Sequence, residues 1–449
     1  MSGHYMRDLQ FEVSLAAFLV VWAIALPAGA QADDALPADT GPVAWHWQST
    51  LTDQATNRFA SPYAGANSLL PDPGGKETFD LTGYLGIRPW SGAELWVNPE
   101  IDQGFGLSNT LGLAGFSSGE AYKIGDKNPY FRLQRIFLRQ TFNLGGDQTD
   151  VDPDENVFGG KQSADRVVVT IGKFGVTDIF DGSVSAHDPR HDFLNWSVID
   201  TGSFDYAADA WGYTYGAATE VYKGPYAVRM GLFDMSNIPN SPTLDGFHEV
   251  QAIVELEDRF KLGGRDGAVR LTSFVSRARM ASFDETLMTT PVGQVPDTAD
   301  DRHYRSRSGV ALSADQALTD TLSAFVRAGG SDGHFETYEF TDIDASTAGG
   351  LSLSGKAWHR DDDALGVAIV DNDISKSHAA YLAAGGLGPL IGDGQLPHKA
   401  REHILETYYS FAVSKHFYTT ADYQYVKNPA YNADRGPVSI FGIRLHVQG

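Results

Sequence analysis

The feature that most limits what this chain can fold into is alternation. Apolar and polar residues take turns along most of the sequence beyond its first few dozen residues, and helical periodicity is nearly absent. In FDLTGYLGI, Phe79, Leu81, Leu85 and Ile87 fall on one face of an extended chain, and Asp80, Thr82 and Tyr84 on the other. AELWVNPEID divides the same way, with Ala93, Leu95, Val97 and Ile101 against Glu94, Asn98, Glu100 and Asp102. In SIFGIRLHV, Phe441, Ile443, Leu445 and Val447 oppose Arg444 and His446. Sixteen such segments can be marked, near 42–50, 78–89, 93–103, 130–143, 165–174, 211–222, 226–234, 248–258, 267–279, 304–313, 321–329, 350–359, 364–371, 403–414, 417–427 and 438–447.

The connections give the arrangement. Long ones, near 51–77, 104–129, 175–210, 235–247, 280–303, 330–349, 372–402 and 428–437, alternate with tight turns such as PWSG (89–92), KGP (223–225) and SKH (414–416). One connection on the short side, 144–164, is long. Up-and-down strands with all long loops at one end describe a transmembrane antiparallel β-barrel, with long extracellular loops and short periplasmic turns. A soluble sandwich has no reason to sort its loops by length. The apolar face suits lipid, and the face carrying Asp, Glu, Arg and Asn suits a wet lumen. With no internal repeat or interdomain linker, residues 33–449 read as one barrel domain.

The N-terminus reads as an export signal. LAAFLVVWAIAL (Leu15–Leu26) has the length of an h-region, and Ala30-Gln31-Ala32 supplies a small-x-small cleavage site, so residues 1–32 are expected to be removed on the way through the periplasm to the outer membrane. The formal charge of −23 argues against nucleic acid as a partner. The absence of cysteine excludes disulfides and thiolate metal sites.

Enzyme motifs fail on their spacing. HEVQA (248–252) opens like a zinc-protease motif but has Ala252 in place of the second His. DQTDVDPDEN (147–156) resembles a calcium loop, but Glu155 and Lys161 stand where Gly and Glu are needed, so it reads as a solvated turn. GGLGPLIGDG (385–394) has Ile391 where a dinucleotide fingerprint needs its third Gly. HDPRHDFLNW (187–196) would offer His187, Asp188, His191 and Asp192 to a metal. Pro189, however, interrupts the helix that would bring the two histidines to one face. The segment lies in the longest loop, 175–210. A loop that folds into a lumen must satisfy its own backbone and present polar side chains to the pore. Arg190, Asn195 and the carboxylates suit that task, while Phe193, Trp196, Tyr206 and Trp211 offer flat faces to a sugar ring.

The chain resembles the carbohydrate-selective porins of the OprB type. The resemblance rests on SPYAGANSL (61–69), GAELWVNPEIDQGFGLSNTLGLAGFSSGEAYKIG (92–125), GKFGVTDIFDGSVSAHDPRHDFLNWSVIDTGSFDYAADAWGYTYG (172–216) and ADYQYVKNPAYNADRGPVSIFGIRLH (421–446). It implies a sixteen-stranded barrel with a narrow lumen that passes monosaccharides such as glucose down a gradient. An eyelet of charged and aromatic residues on inward-folded loops would select them. Residue by residue, it implies a pore lining of Glu94, Asn98, Glu100 and Asp102, of Arg135 and Arg139, and of Lys173 and Asp178. From the long loop it adds His187, Asp188, Arg190, His191, Asp192, Asn195, Trp196, Asp205, Tyr206 and Asp209. No catalysis, cofactor or metal is implied. The expected partners are small sugars, outer-membrane lipid and the barrel-insertion machinery, with the protein a homotrimer or a monomer. The chain ends on Gln448-Gly449, where strands read by that machinery usually end on an aromatic residue. Competing readings are a divalent-cation porin of the manganese type in the same barrel, polysaccharide export, and an outer-membrane hydrolase.

Overall fold

The computed structural model describes residues 41–449 apart from 73, 122–124 and 340. The expected signal peptide, residues 1–32, lies outside the described residues. Sixteen strands form one sheet. They are β1 (Val43–Thr56), β2 (Lys76–Ile87), β3 (Ala93–Gly104), β4 (Asp126–Val151), β5 (Gly160–Phe174), β6 (Thr214–Lys223), β7 (Tyr226–Asp234) and β8 (Val250–Leu262) in the first half. The second half holds β9 (Arg265–Met280), β10 (His303–Ala317), β11 (Leu322–Ser331), β12 (Ala345–Ser354), β13 (Ala364–Asp373), β14 (Glu402–Ser414), β15 (Phe417–Lys427) and β16 (Val438–Gln448). Each pairs antiparallel with its neighbours in sequence, and β1 closes on β16 with Ser49 opposite Val447. Closure leaves no strand edge, the condition for a sheet to cross a bilayer.

The alternation read from sequence is the alternation of the wall. On β16, Phe441 and Ile443 are 55% and 58% exposed, whereas Arg444 and His446 are each 1% exposed. On β8, Val254 and Leu256 face out, and Gln251, Glu255 and Glu257 face in and are buried. A chain with so many exposed apolar side chains and so many buried charges is inside out for water, and correct for a barrel in lipid.

The apolar core lies inside the barrel. Long loops from the extracellular end fold into the lumen and pack their aromatic residues together, among them Phe116, Phe180, Phe204, Tyr338, Tyr381 and Tyr431. These loops carry short helices at Trp196–Ile199, Phe283–Thr289 and Lys376–Ala383.

Two sequence expectations need correction. The segment expected at 350–359 is β12 at Ala345–Ser354. Ser354 turns the chain out of the sheet by accepting from Lys356 N, which starts a 3-10 turn over Gly355–Trp358. The long connection 144–164 is mostly strand: β4 and β5 run on as a hairpin past the β2–β3 turn, whose level is marked by Thr141 N bonding Gly92 O at 2.7 Å. Of the run 147–156, expected as a solvated turn, 147–150 are exposed but belong to β4, while Glu155 and Asn156 are half-buried and Phe158 at the hairpin tip is 3% exposed.

Candidate functional site

The β5–β6 loop crosses the lumen and is gripped by the far wall. Arg327 on β11 donates to Asp181 O at 2.9 Å and Ala186 O at 2.8 Å. Arg444 on β16 donates to His191 O at 3.0 Å, Asp192 O at 2.9 Å and Pro189 O. Glu406 on β14 accepts the Leu194 and Asn195 N–H groups, and Glu255 on β8 accepts Asp181 N–H at 2.7 Å. Gln251 donates to Asp205 O and accepts from Ala207 N, both at 2.8 Å. Backbone withdrawn from water needs such partners, and buried charges need groups to neutralise, so each requirement meets the other.

This accounts for four of the residues expected on the pore surface. Asn195 caps the helix at Trp196–Ile199 and donates to Gly115 O and Gln424 Oε1. Asp205 pairs with Arg307 at 3.0 Å and accepts the Tyr338 and Glu339 N–H groups at 2.7 and 2.8 Å. Trp196 stacks on Phe116 with ring centroids 5.2 Å apart, and Tyr206 packs beside Phe204. All four are buried and pack within the loop and against the residues it meets. The flat apolar face of Trp196 is covered by Phe116.

The opposite wall, β1 to β5, is arranged differently. Asn98, Glu100 and Asp102 form an inward ladder on β3. Thr82 Oγ1 donates to Glu100 Oε2 at 2.6 Å, and the Gln134 amide donates to Glu100 at 2.9 Å and Asp102 at 3.3 Å. Among the described residues, both polar atoms of the Asn98 amide, Asp102 Oδ1 and Gln134 Oε1 have no hydrogen-bond partner. Buried polar atoms in that state call for water or a solute hydroxyl.

Basic groups face this ladder. Arg135 makes a bidentate pair with Asp178, both contacts 2.7 Å, and lies 4.8 Å from the Tyr213 ring. Asp209 takes Lys173 at 3.1 Å and Arg132 at 3.3 Å, and Arg132 stacks 3.5 Å over the Trp211 ring. Nearer the periplasm Arg139 reaches Glu94 at 3.3 Å, with Arg88 at 3.8 Å on the other carboxylate oxygen.

Arg190 joins the two walls. Its main chain belongs to the gripped loop, and its guanidinium lies 3.4 Å from Glu120 and 3.8 Å from Asp80 on β2. With the Gln48 amide oriented to suit its neighbours, Gln48 accepts from Arg190 Nε at 3.0 Å. His187 bonds Thr177 O through Nε2 at 3.1 Å, and the His191 ring stands 4.5 Å from that of His446. Asp192 Oδ2 accepts from His187 N, and Asp188 Oδ1 accepts from Arg190 N at 2.9 Å. Among the described residues, no three His, Asp or Glu side chains converge as a metal ion requires.

Charge balance in the loop follows from these contacts. Burial works against the Asp188 carboxylate, but His191, Arg190 and the Arg190 N–H outweigh it and hold the group at about 2. Asp178 is likewise pulled below its usual range by Arg135 against the cost of burial. Burial raises Asp200 to about 6, with His187 opposing. Arg190 stays firmly protonated because Glu120 and Asp80 more than offset its burial. The site therefore carries fixed charges of both signs.

Several residues here were not singled out from sequence. Gln48, Asp80 and Tyr84 share the inward faces of their strands, which alternation does reveal. Gln134 sits at a register break opposite Asn98 and Pro99, which turns both it and Arg135 inward and which no periodicity marks. Glu120 lies in a loop with no pattern to read. The strings GFSSG (115–119) and GGSDG (329–333) have nucleophile-elbow spacing, GxSxG. In the fold Ser117 Oγ donates to Gln54 and Ser331 Oγ accepts from Arg307, so neither is set up as a nucleophile.

Comparison with known proteins agrees with this architecture. The high-pH structure of Pseudomonas putida OprB is similar over 91% of this chain and 94% of its own, with a TM-score of 0.67 at 16% identity. The outer membrane channel DcaP of Acinetobacter baumannii is similar over 91% and 97%, with a TM-score of 0.51 at 10% identity. At such identities the likeness shows the fold. No curated protein sequence matches the chain. A family model described as carbohydrate-selective porin, OprB family, matches residues 71–448. The protein is an outer-membrane channel and not an enzyme, and the chain belongs to the OprB family of carbohydrate-selective porins.

Proposed function

We propose that the channel passes neutral carbohydrates of monosaccharide size, such as glucose, passively and selectively, through the gap between the β1–β5 wall and Arg190. One observation carries this reading. The Asn98 amide, Asp102 Oδ1 and Gln134 Oε1 have no hydrogen-bond partner among the described residues and lie near fixed charges of both signs. A sugar offers donors and acceptors on one ring edge, so it can serve carboxylate, amide and guanidinium together. A simple ion can serve only one sign. Trp211 and Tyr213 supply aromatic faces beside these charges, each already carrying an arginine on one side. The eyelet in this reading is Asn98, Glu100, Asp102, Arg135, Lys173, Asp178, His187, Asp188, Arg190 and Asp209, with Glu94 and Arg139 at the periplasmic mouth and His191 and Asp192 anchoring the loop.

Liposomes bearing the protein should swell faster in glucose than in a polyol of the same size, and equal swelling would remove selectivity from the account. A second reading, a divalent-cation pore, draws on the excess of carboxylates at the gap: Asp80, Glu100, Asp102 and Glu120 face Arg190 and Gln134. Reversal potentials in a calcium or manganese gradient separate the two. Strong divalent selectivity with no effect of glucose favours the second.

A further inference from the structure

The constriction described so far is built from the extracellular side. The β4–β5 hairpin reaches it from the other face of the membrane. Gly160, where β5 begins, is about twelve residues from Gly172 along the strand, and Gly172 pairs with Phe137, itself paired with Trp96. Extended chain of that length spans ~40 Å. Yet Phe158, two residues before Gly160, packs on Trp96 with ring centroids 4.9 Å apart. The hairpin must therefore double back into the barrel. Its bend falls at the register breaks around Gly145, where Gly145 and Gly146 have φ of 108° and 80°, a region that favours glycine.

The returning tip is fixed at several points. Arg88 stacks 4.2 Å over the Phe158 ring and donates to Gly159 O at 3.2 Å. Arg139 donates to Asn156 O at 2.8 Å. Above these anchors, Glu155 Oε1 accepts from the Gln48 amide at 2.7 Å, and the same amide accepts from Arg190 Nε and Tyr84 OH. A carboxylate from a periplasmic turn thus sits one residue away from the arginine at the centre of the loop constriction.

We propose that the β4–β5 hairpin is part of the pore's selectivity filter, entering from the periplasmic side and placing Glu155 as its lower carboxylate. The inference rests on the chain being a channel and not on which solute crosses it. It assigns the long periplasmic connection a role, and makes Phe158 the anchor and Glu155 the charge that permeating ions meet.

The test uses the full-length protein in planar bilayers in a salt gradient, with no sugar present. Glu155→Gln shifts the reversal potential toward anions. Because the chain contains no cysteine, Glu155→Cys gives a single thiol. An anionic methanethiosulfonate reagent restores the cation preference and a cationic one reverses it, each with a step in current. Asp150→Cys, on the exposed stem where Asp150 is 86% exposed, takes up the same reagents with no change in current. Phe158→Ala loosens the tip and raises conductance. Heat-modifiable electrophoretic mobility confirms that each barrel is folded. An unchanged reversal potential in Glu155→Gln together with silent labelling at position 155 would place the hairpin outside the ion path and overturn the inference. If glucose fails to block the wild-type channel, the sugar reading falls and this one stands.

Discussion

The two walls of the lumen use charge in opposite ways. From β8 to β16, Arg327, Arg444, Glu406, Glu255 and Gln251 spend their polar atoms on the main chain of the crossing loop. From β1 to β5 the contacts run mainly between side chains, as in Thr82–Glu100–Gln134–Asp102 and Arg135–Asp178. A bond to main chain fixes a fold and has no substitute when lost. A bond between flexible side chains can open and be remade with a solute hydroxyl at little net cost, because one hydrogen bond replaces another. The first wall holds the plug, and in the proposed reading the second is the surface that selects. The comparison teaches that a buried charge in a lumen is not by itself a pore residue: its partner decides.

This contrast can be broken by substitution. The largest effect is expected from Arg327→Ala combined with Arg444→Ala. Five loop carbonyls lose their donor, at ~1–3 kcal/mol for each that stays buried. The barrel stays closed through its sixteen strand pairs, while single-channel recordings should show a severalfold, noisy rise in conductance. A quiet channel of wild-type size would mean that the loop is held by something else.

Next is Arg190→Ala, which removes the bridge between the walls without touching the clamps. It should shift ion preference toward cations and weaken sugar block, with unchanged thermal stability of the barrel. If conductance and block both stay at wild-type values, the loop is structural throughout. A smaller effect is expected from Trp196→Phe. The ring remains in the apolar core beside Phe116, so sugar block should not change and only loop stability should fall slightly. A clear loss of sugar affinity there would return Trp196 to the pore surface.

The smallest effect is one of pH. Burial and the nearby Asp188 raise Glu155 to about 7, with Arg190 opposing. The carboxylate is charged above that value and neutral below it, so cation preference should fall as pH drops from 8 to 6. Asp200, raised by burial to about 6, changes charge in the same range, so the wild type alone is ambiguous. The component due to Glu155 is the part of the pH shift that Glu155→Gln abolishes.

The contrast also explains what could be read from the sequence. The barrel was legible because lipid and water impose a two-residue period that a strand cannot hide, as at Phe441–Val447. The inward ladder Asn98, Glu100, Asp102 was legible for the same reason. The loop gave up its place but not its roles. In HDPRHDFLNW, Arg190 points at the β2 wall while Asn195 and Trp196 turn into the core, and composition cannot distinguish side chains that differ only in which partner they meet. Glu155 was hidden further, since its acidic run looks solvated and only the doubled-back hairpin brings it inside.

The central claim is that solute binds on the β1–β5 wall, at the amide and carboxylate atoms left without a partner among the described residues. Glucose titration of single-channel current, in the wild type and in Asn98→Leu, tests it most directly. The account predicts saturable block in the wild type. In the variant the midpoint should be about fivefold higher, equivalent to ~1 kcal/mol of hydrogen bonding. Absence of block at any glucose concentration, or an identical midpoint in Asn98→Leu, would contradict it.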